Sequence, residues 1–246
     1  MTYSSIETLN KAQKKIVAHN NGPALVIAGA GSGKTRVITH RVAHLIQSGV
    51  PASSILLLTF TNKAADEMTQ RVGRAINHST DQNKILHGTF HSVGNRFLRQ
   101  HAKLLDYKNN FTILDTSDSK EMIKASIAET IGKPGRSFPK AAVLQNLFSL
   151  AFNRNGSQDI ILTVPYNKRN FLLDQLIFSN YPHFEEYLET IIKVLAIYRK
   201  KKKLGQVMDF DDLLENWLEL LVVHGQELPL CRQIKYILVD EYQDTN

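Results

Sequence analysis

Three glycines at alternate positions, Gly29, Gly31 and Gly33, stand directly before Lys34 and Thr35 in the string AGAGSGKT, residues 28–35. That spacing lets a backbone curl so that the N–H groups of Gly29, Ala30, Gly31, Ser32 and Gly33 converge on a chain of phosphates. A helix that opens at Lys34 adds the positive partial charge of its N-terminus. In such a loop Lys34 reaches the β and γ phosphates of a nucleoside triphosphate, and the Thr35 hydroxyl is a ligand for Mg²⁺. Ala28 takes the place where the simplest form of the motif has glycine. The plain alternative is a glycine-rich turn with an incidental lysine. Arg36 lies either beside the nucleotide or on the helix surface.

A second reactive pair stands near the other terminus, where the apolar run Tyr236 to Val239 discharges into Asp240 and Glu241. Ligands of open α/β sheets bind at the carboxyl ends of strands. There Asp240 is placed to hold the Mg²⁺ that Thr35 also contacts, and Glu241 to orient or deprotonate an attacking water. Alone, an acidic pair after a strand reads as a solvated loop; beside a phosphate loop it reads as chemistry. Lys34, Asp240 and Glu241 are therefore the expected catalytic set, with ATP and Mg²⁺ as the implied ligands and Thr35 and Asp240 as the protein's metal ligands.

These groups need elements to hold them. Apolar runs of strand length at Ala24 to Ala28, Ile55 to Phe60 and Ile85 to Phe90 alternate with helix-period segments at Lys34 to Gln47 and Asn62 to Ile76, the latter capped by Thr61 or Asn62. His91 to Leu105 continues the scheme. That alternation is the pattern of a parallel sheet flanked by helices, an α/β class. From Asp106 a short strand candidate, Phe111 to Leu114, leads into four helical stretches: Ser117 to Ile131, Lys140 to Asn153, Phe171 to Ser179 and Phe184 to Lys203. Breakers at Gly132, Pro134, Gly135, Gly156, Pro165 and Pro182 separate them. An acidic helix from Asp209 to Val223 then precedes a last strand at Ile234 to Val239. The expected division is residues 1–105 as the first part of a nucleotide-binding domain, 106–208 as a helical insertion, and 209–246 as the return to the sheet.

Composition agrees with a folded, polyanion-tolerant chain. The 246 residues are 43% hydrophobic and 22% charged, with a net charge of +7. The charge is uneven: residues 1–105 hold 13 basic and 4 acidic side chains, 106–208 hold 15 and 10, and 209–246 hold 2 and 9. Basic excess suits phosphate contact, although many basic proteins bind no nucleic acid. One cysteine, Cys231, closes no internal disulfide, and Met1 to Asn10 has no apolar leader, so a reducing, soluble, cytoplasmic setting away from membranes is expected.

Read in order, Leu9-Asn10 with Gln13, then AGAGSGKTR (28–36), LLLTFTNKAADEM (57–68), GTFHS (88–92), DFDDLL (209–214) and LVDEYQDTN (238–246) resemble the successive motifs of UvrD/Rep/PcrA-type superfamily 1 DNA helicases. Tyr242 stands where the family uses tyrosine or phenylalanine. The resemblance implies a P-loop, RecA-like first motor domain (1A) interrupted by a mostly helical subdomain (1B), with ATP-driven 3′ to 5′ translocation on single-stranded DNA. It implies that Gln13 reads the adenine edge, a side-chain amide being able to donate and accept at once. Its plain alternative is a polar residue on a surface helix.

The same resemblance turns two strand-end clusters toward DNA. At Phe60, Thr61, Asn62 and Lys63, a backbone phosphate can take hydrogen bonds from Thr61, Asn62 and the helix N-terminus while Phe60 stacks on a base; by chemistry alone Phe60 is plain core. Thr89, Phe90, His91 and Ser92 form a like cluster, and His91 is assigned to DNA contact only, because no second histidine or cysteine stands at metal spacing. Asp209, Asp211 and Asp212 read as helix-start carboxylates rather than a metal site. Arg199 to Lys203 reads as a solvated helix end, with guidance of DNA as the alternative.

A motor of this kind also needs an arginine at the γ phosphate and a group that senses hydrolysis. Both are expected beyond Asn246, together with a second motor domain, so an engineered or proteolytic fragment is expected: monomeric, weak in binding nucleotide and single-stranded or junction DNA, slow in hydrolysis and unable to unwind. Two alternatives stay open: the motor part of a RecB/AddA-type helicase-nuclease, and a nucleotide-binding module without turnover.

Overall fold

The computed structural model describes residues 8–19, 21–76, 84–153 and 171–244. In chain order they form α1 (Lys11–Val17), α2 (Lys34–Gln47), β1 (Ile55–Leu58), α3 (Asn62–Ala75), β2 (Leu86–Gly88), α4 (Phe90–His101), β3 (Thr112–Ile113), α5 (Thr116–Ile131), α6 (Ala141–Asn153), α7 (Phe171–Asn180), α8 (Leu188–Gly205), β4 (Val207–Met208), α9 (Phe210–His224), α10 (Pro229–Gln233) and β5 (Tyr236–Val239). The chain is thus a mostly helical α/β protein with a small parallel sheet. None of its described helices is long and apolar enough to cross a membrane. The breakers Gly156 and Pro165 lie outside the described residues.

Packing separates two compact units, Met1–Val93 with Gln226–Asn246, and Gly94–Gly225. In the first, β1 is the central strand, with β2 on one side and β5 on the other, both parallel to it. All four residues of β1, Ile55 to Leu58, are buried, as expected of a strand covered on both faces. Ile55 and Leu57 pack with Val42 and Leu45 of α2 and Met68 and Val72 of α3. Each of those helices repeats its apolar residues at three- and four-residue spacing, the stripe that a helix turns to a core. Thr61 caps α3, its Oγ1 accepting the Ala64 N–H at 3.1 Å.

One expected strand is not formed. Residues 24–28 run without a ladder partner, with Leu25 73% and Ile27 90% exposed. The side chains of this apolar run suit a sheet, but a strand also needs the N–H and C=O groups of a neighbour. Among the described residues, β5 pairs only with β1, and the second edge of β5 carries no ladder to this segment. The other strands are shorter than their apolar runs: β1 ends at Leu58, where the chain turns toward Thr61, and β2 ends at Gly88, because Phe90 already belongs to α4.

The second unit is a helical cluster in which Ile123 of α5, Leu144 of α6, Ile177 of α7 and Ile191 and Val194 of α8 are buried together. The expected helix from Phe184 begins instead as a 3₁₀ turn, Pro182–Tyr187, and becomes α-helical at Leu188. A two-residue parallel pair, β3 with β4, joins Thr112 to Val207 and Ile113 to Met208. The expected insertion limits, 106 and 208, fall inside this unit. The C-terminal part of α4 and all of α9 belong to it because they pack there: the Phe97 ring lies 5.6 Å from Trp217, and a Cβ on Gly94 would stand 3.0 Å from the same indole.

Its tightest polar feature lies where α8 ends and α9 begins. Asp209 caps α9 and forms a reciprocal capping box with Asp212, while Lys202 Nζ reaches Asp209 at 2.6 Å and Asp212 at 2.6 Å. Tyr198 donates its hydroxyl to Asp209 at 2.7 Å. The aspartate cluster is therefore structural. The run Arg199 to Lys203 is not uniformly solvated, since Lys202 is buried. Burial pushes the Asp212 carboxyl up to about 6 against the pull of Lys202. Burial works on Asp209 in the same direction, but the Lys202 ammonium and the hydrogen bonds around it outweigh burial and hold that carboxyl below its ordinary range.

Candidate nucleotide site at the carboxyl edge of the sheet

The first unit gathers its reactive residues through strand register. Leu58 lies level with Gly88 on one side and Val239 on the other, and the pairing continues one step further through Thr59 N–H to Gly88 O at 3.1 Å and Asp240 N–H to Leu58 O at 2.9 Å. Phe60 and Thr61, Thr89 to His91, and Asp240 with Glu241 therefore all emerge at one edge of the sheet.

The glycine-rich loop meets that edge at Thr35. Its Oγ1 donates to Asp240 Oδ2 at 3.3 Å across 205 positions of sequence, and Asp240 is 6% exposed. Asp240 Oδ1 accepts the Glu241 N–H at 3.1 Å. A hydroxyl and a carboxylate oxygen side by side are hard oxygen donors of the type Mg²⁺ prefers, and Mg²⁺ completes its shell from phosphates and water rather than from an all-protein cage. The residues thus fit that ion. No cluster of three or more His, Cys, Asp or Glu residues suited to a metal occurs among the described residues.

Two of the three loop glycines take left-handed turns, and the Ser32 N–H donates within the loop to the Gly29 carbonyl at 3.3 Å. Gly31 and Gly33 have φ of +72° and +86°, the left-handed region that costs glycine little. Gly33 is the N-cap of α2, so Lys34 and Thr35 start the helix and its first N–H groups face the loop. Lys34 Nζ donates to the Ala28 carbonyl at 3.4 Å, folding the ammonium back over the loop. Gln13 Oε1 accepts the Asn10 N–H and its Nε2 donates to the Ser32 carbonyl, both at 3.0 Å. Both ends of the amide are used, one to cap α1 and one to tie α1 to the loop. Gly33 also makes room for it: a Cβ there would stand 3.2 Å from Gln13 Nε2. Arg36 donates to the Thr8 hydroxyl.

Of the residues expected to face DNA, Phe60 is 66% exposed, which removes its reading as plain core. Asn62 and Lys63 are exposed in the first turn of α3 behind the Thr61 cap. Thr89 and Ser92 exchange hydrogen bonds, Thr89 N–H to Ser92 Oγ at 2.8 Å and Ser92 N–H to Thr89 Oγ1 at 3.1 Å, so the cluster's hydroxyls hold the start of α4. Gly88, at φ +152°, is required by this arrangement because a Cβ would stand 2.3 Å from Ser92 Oγ. Phe90 and His91 are half-buried.

One further side chain at this edge lies outside the sequence-based set: Gln243, whose Nε2 donates to Glu241 Oε2. The available signal was an amide two residues past an acid at a strand end, where the chain must turn.

Residues 9–246 match the family described as UvrD/REP helicase N-terminal domain. The chain is 37% identical to ATP-dependent DNA helicase PcrA of Bacillus subtilis (strain 168) over 97% of its length, 35% identical to PcrA of Leuconostoc citreum over 98%, and 34% identical to ATP-dependent DNA helicase Rep of Buchnera aphidicola over 96%. It spans 30%, 30% and 32% of those three proteins. The order of motifs, the family match across nearly the whole chain and these relatives agree: the chain belongs to the UvrD/Rep helicase family and corresponds to its N-terminal domain.

Proposed function

We propose that this chain is the ATP-binding first motor domain, RecA-like, of a DNA helicase that moves 3′ to 5′ on single-stranded DNA and opens duplex in repair or replication. The observation that carries the reading is the contact of Thr35 with Asp240 at 3.3 Å, which joins the end of a glycine-rich loop to the end of a parallel strand. In it, Lys34 and the N–H groups of residues 29–33 bind the triphosphate, Thr35 and Asp240 hold Mg²⁺, and Glu241 takes a proton from the attacking water. Bound Mg²⁺ supplies neutralisation of the charge that develops on the phosphates. Gln13 reads the adenine once one of its two present bonds is exchanged, and Arg36 lies at the same site.

The exposed Phe60 is the stacking face for a base, with Thr61, Asn62, Lys63, Thr89, Phe90 and His91 along the backbone path. Residues 106–208 are the insertion, 1B. Single-stranded DNA and its junctions with duplex are the partners, and the chain acts as a monomer. By itself the 246-residue chain binds Mg·ATP and single strands weakly and hydrolyses slowly.

The test is an ATPase measurement with and without single-stranded DNA, in the longest natural polypeptide carrying this chain, beside Lys34→Ala and Glu241→Gln. DNA-stimulated turnover lost in both variants is expected; unchanged rates in both sink the reading. Robust DNA-stimulated turnover by the 246-residue chain alone contradicts the expectation of slow hydrolysis.

A further inference from the structure

Glu241 stands in an uncommon backbone state. Its φ is +50°, the left-handed region that a residue with a Cβ rarely occupies without being held there. Two hydrogen bonds of its main chain do the holding: the Glu241 N–H donates to the Asp240 carboxylate Oδ1 at 3.1 Å, and the Asp244 N–H donates to the Glu241 carbonyl at 2.9 Å. Both fix the turn, and neither reaches the Glu241 carboxylate. With three rotatable side-chain bonds, a carboxylate at this position samples several staggered arrangements unless a further contact selects one.

That contact is Gln243. Its Nε2 donates to Glu241 Oε2 from the 3₁₀ turn Tyr242–Asp244. The turn brings the amide back over the residue two places earlier, and the donated hydrogen bond leaves Oε1 open to accept from water. A carboxylate already committed to one rotamer loses less freedom on meeting its water, which is where orientation contributes to rate. We infer that Gln243 is a positioning residue for the hydrolytic step, acting through Glu241, an inference that rests on the reading of Glu241 proposed above. In that step the water oxygen bonds to the γ phosphorus as its proton passes to Glu241. The bond from the γ phosphorus to the bridging oxygen breaks, ADP leaves with that electron pair, and the proton later departs to solvent.

The experiment compares Gln243→Ala, Gln243→Met and Gln243→Lys in the longest natural polypeptide carrying this chain, with saturating single-stranded DNA. Gln243→Met keeps length without a donor; Gln243→Lys restores a donor. The expected result is a kcat about ten- to hundred-fold lower for Gln243→Ala and Gln243→Met, partial recovery in Gln243→Lys, and KM for ATP and thermal midpoint close to wild type. A role confined to bracing the turn would instead lower the midpoint and weaken nucleotide binding together, and that pattern overturns the inference. So does a normal kcat in Gln243→Met while Lys34→Ala has lost nucleotide binding. If Lys34→Ala and Glu241→Gln both turn over normally, the reading of Glu241 is what fails. A second measurement uses the 246-residue chain itself: the Gln243 side-chain amide resonances shift in Glu241→Gln if the bond exists, and unmoved resonances overturn the inference.

Discussion

Two aspartates, Asp240 and Asp212, are both buried at the junction of a strand or loop with other elements, yet their surroundings differ. Asp212 shares the Lys202 ammonium with Asp209, and each of those carboxylates is also tied to the main chain of the other. Asp240 has a threonine hydroxyl and one N–H, and no lysine or arginine is paired with it among the described residues. The first carboxylate's charge is neutralised by the protein's own cation. The second is buried beside a threonine hydroxyl instead. Burying a carboxylate is costly unless it is paired, so the difference separates a locked carboxylate from one without a cation of its own more clearly than burial does.

The comparison can be broken at its strongest point first. Lys202→Ala leaves two carboxylates buried without their cation and is expected to cost about 3–5 kcal/mol of stability, read by chemical denaturation of the chain. A loss under about 1 kcal/mol would mean that water already solvates the pair and that no lock exists. At the other site, Lys34→Ala should leave the denaturation midpoint nearly unchanged while weakening Mg·ATP binding on the order of a hundred-fold, since it removes a charged donor to phosphate; titration with a fluorescent ATP analogue distinguishes this from a merely structural lysine.

Gly88→Ala sharpens the boundary between the two kinds of residue. It places a Cβ against Ser92 Oγ at a φ of +152°, and is expected to cost about 1–3 kcal/mol and to weaken single-strand binding by disturbing the start of α4. Equal stability to wild type would show that the Thr89–Ser92 exchange is dispensable. Removing the α3 cap with Thr61→Ala is smaller, about 1 kcal/mol, again by denaturation.

The smallest effect concerns pH. Burial raises the Asp212 carboxyl to about 6 from an ordinary value of 3.8, so the folded state holds that proton more firmly than the unfolded chain. The associated stabilisation is complete below about pH 4 and is lost as pH rises toward about 6. Asp209, held low by Lys202, works the other way at more acid pH. Plotting the thermal midpoint of wild type minus that of Asp212→Asn should therefore slope downward between about pH 4 and 6; a flat difference there would remove Asp212 as the titrating group.

Much of the candidate site is legible in the sequence for a local reason. A phosphate loop is a contiguous string whose glycines, lysine and threonine work through neighbouring backbone groups, so Gly31, Gly33, Lys34 and Thr35 could be placed from their order. The helix starts were equally local: the Thr61 cap and the Asp209 carboxylate each satisfy N–H groups within three residues. Residues 24–28 were misread for the converse reason, because their apolar content says extended but cannot supply the edge with which to pair. Lys202 looks in sequence like part of a solvated run because its partners, Asp209 and Asp212, lie across a reversal of the chain that composition does not reveal.

By itself, then, the sequence determined which groups are on offer: a glycine-rich loop with a lysine and a threonine, an acidic strand end, an exposed-or-core aromatic at 60, and the family to which the order of motifs belongs. Only the tertiary structure decided which of these groups meet. The parallel register of β1 with β2 and β5 aligns three strand ends at one edge, and this brings Thr35 to Asp240 across 205 positions. It also decided that Phe60 is exposed, that Gln13 spends both ends of its amide on the loop and the α1 cap, and that Gln243 turns back onto Glu241. The reason is that hydrogen bonds and burial act over a few ångströms of space, whereas sequence spacing reports distance only as far as one turn of helix or one strand will carry it.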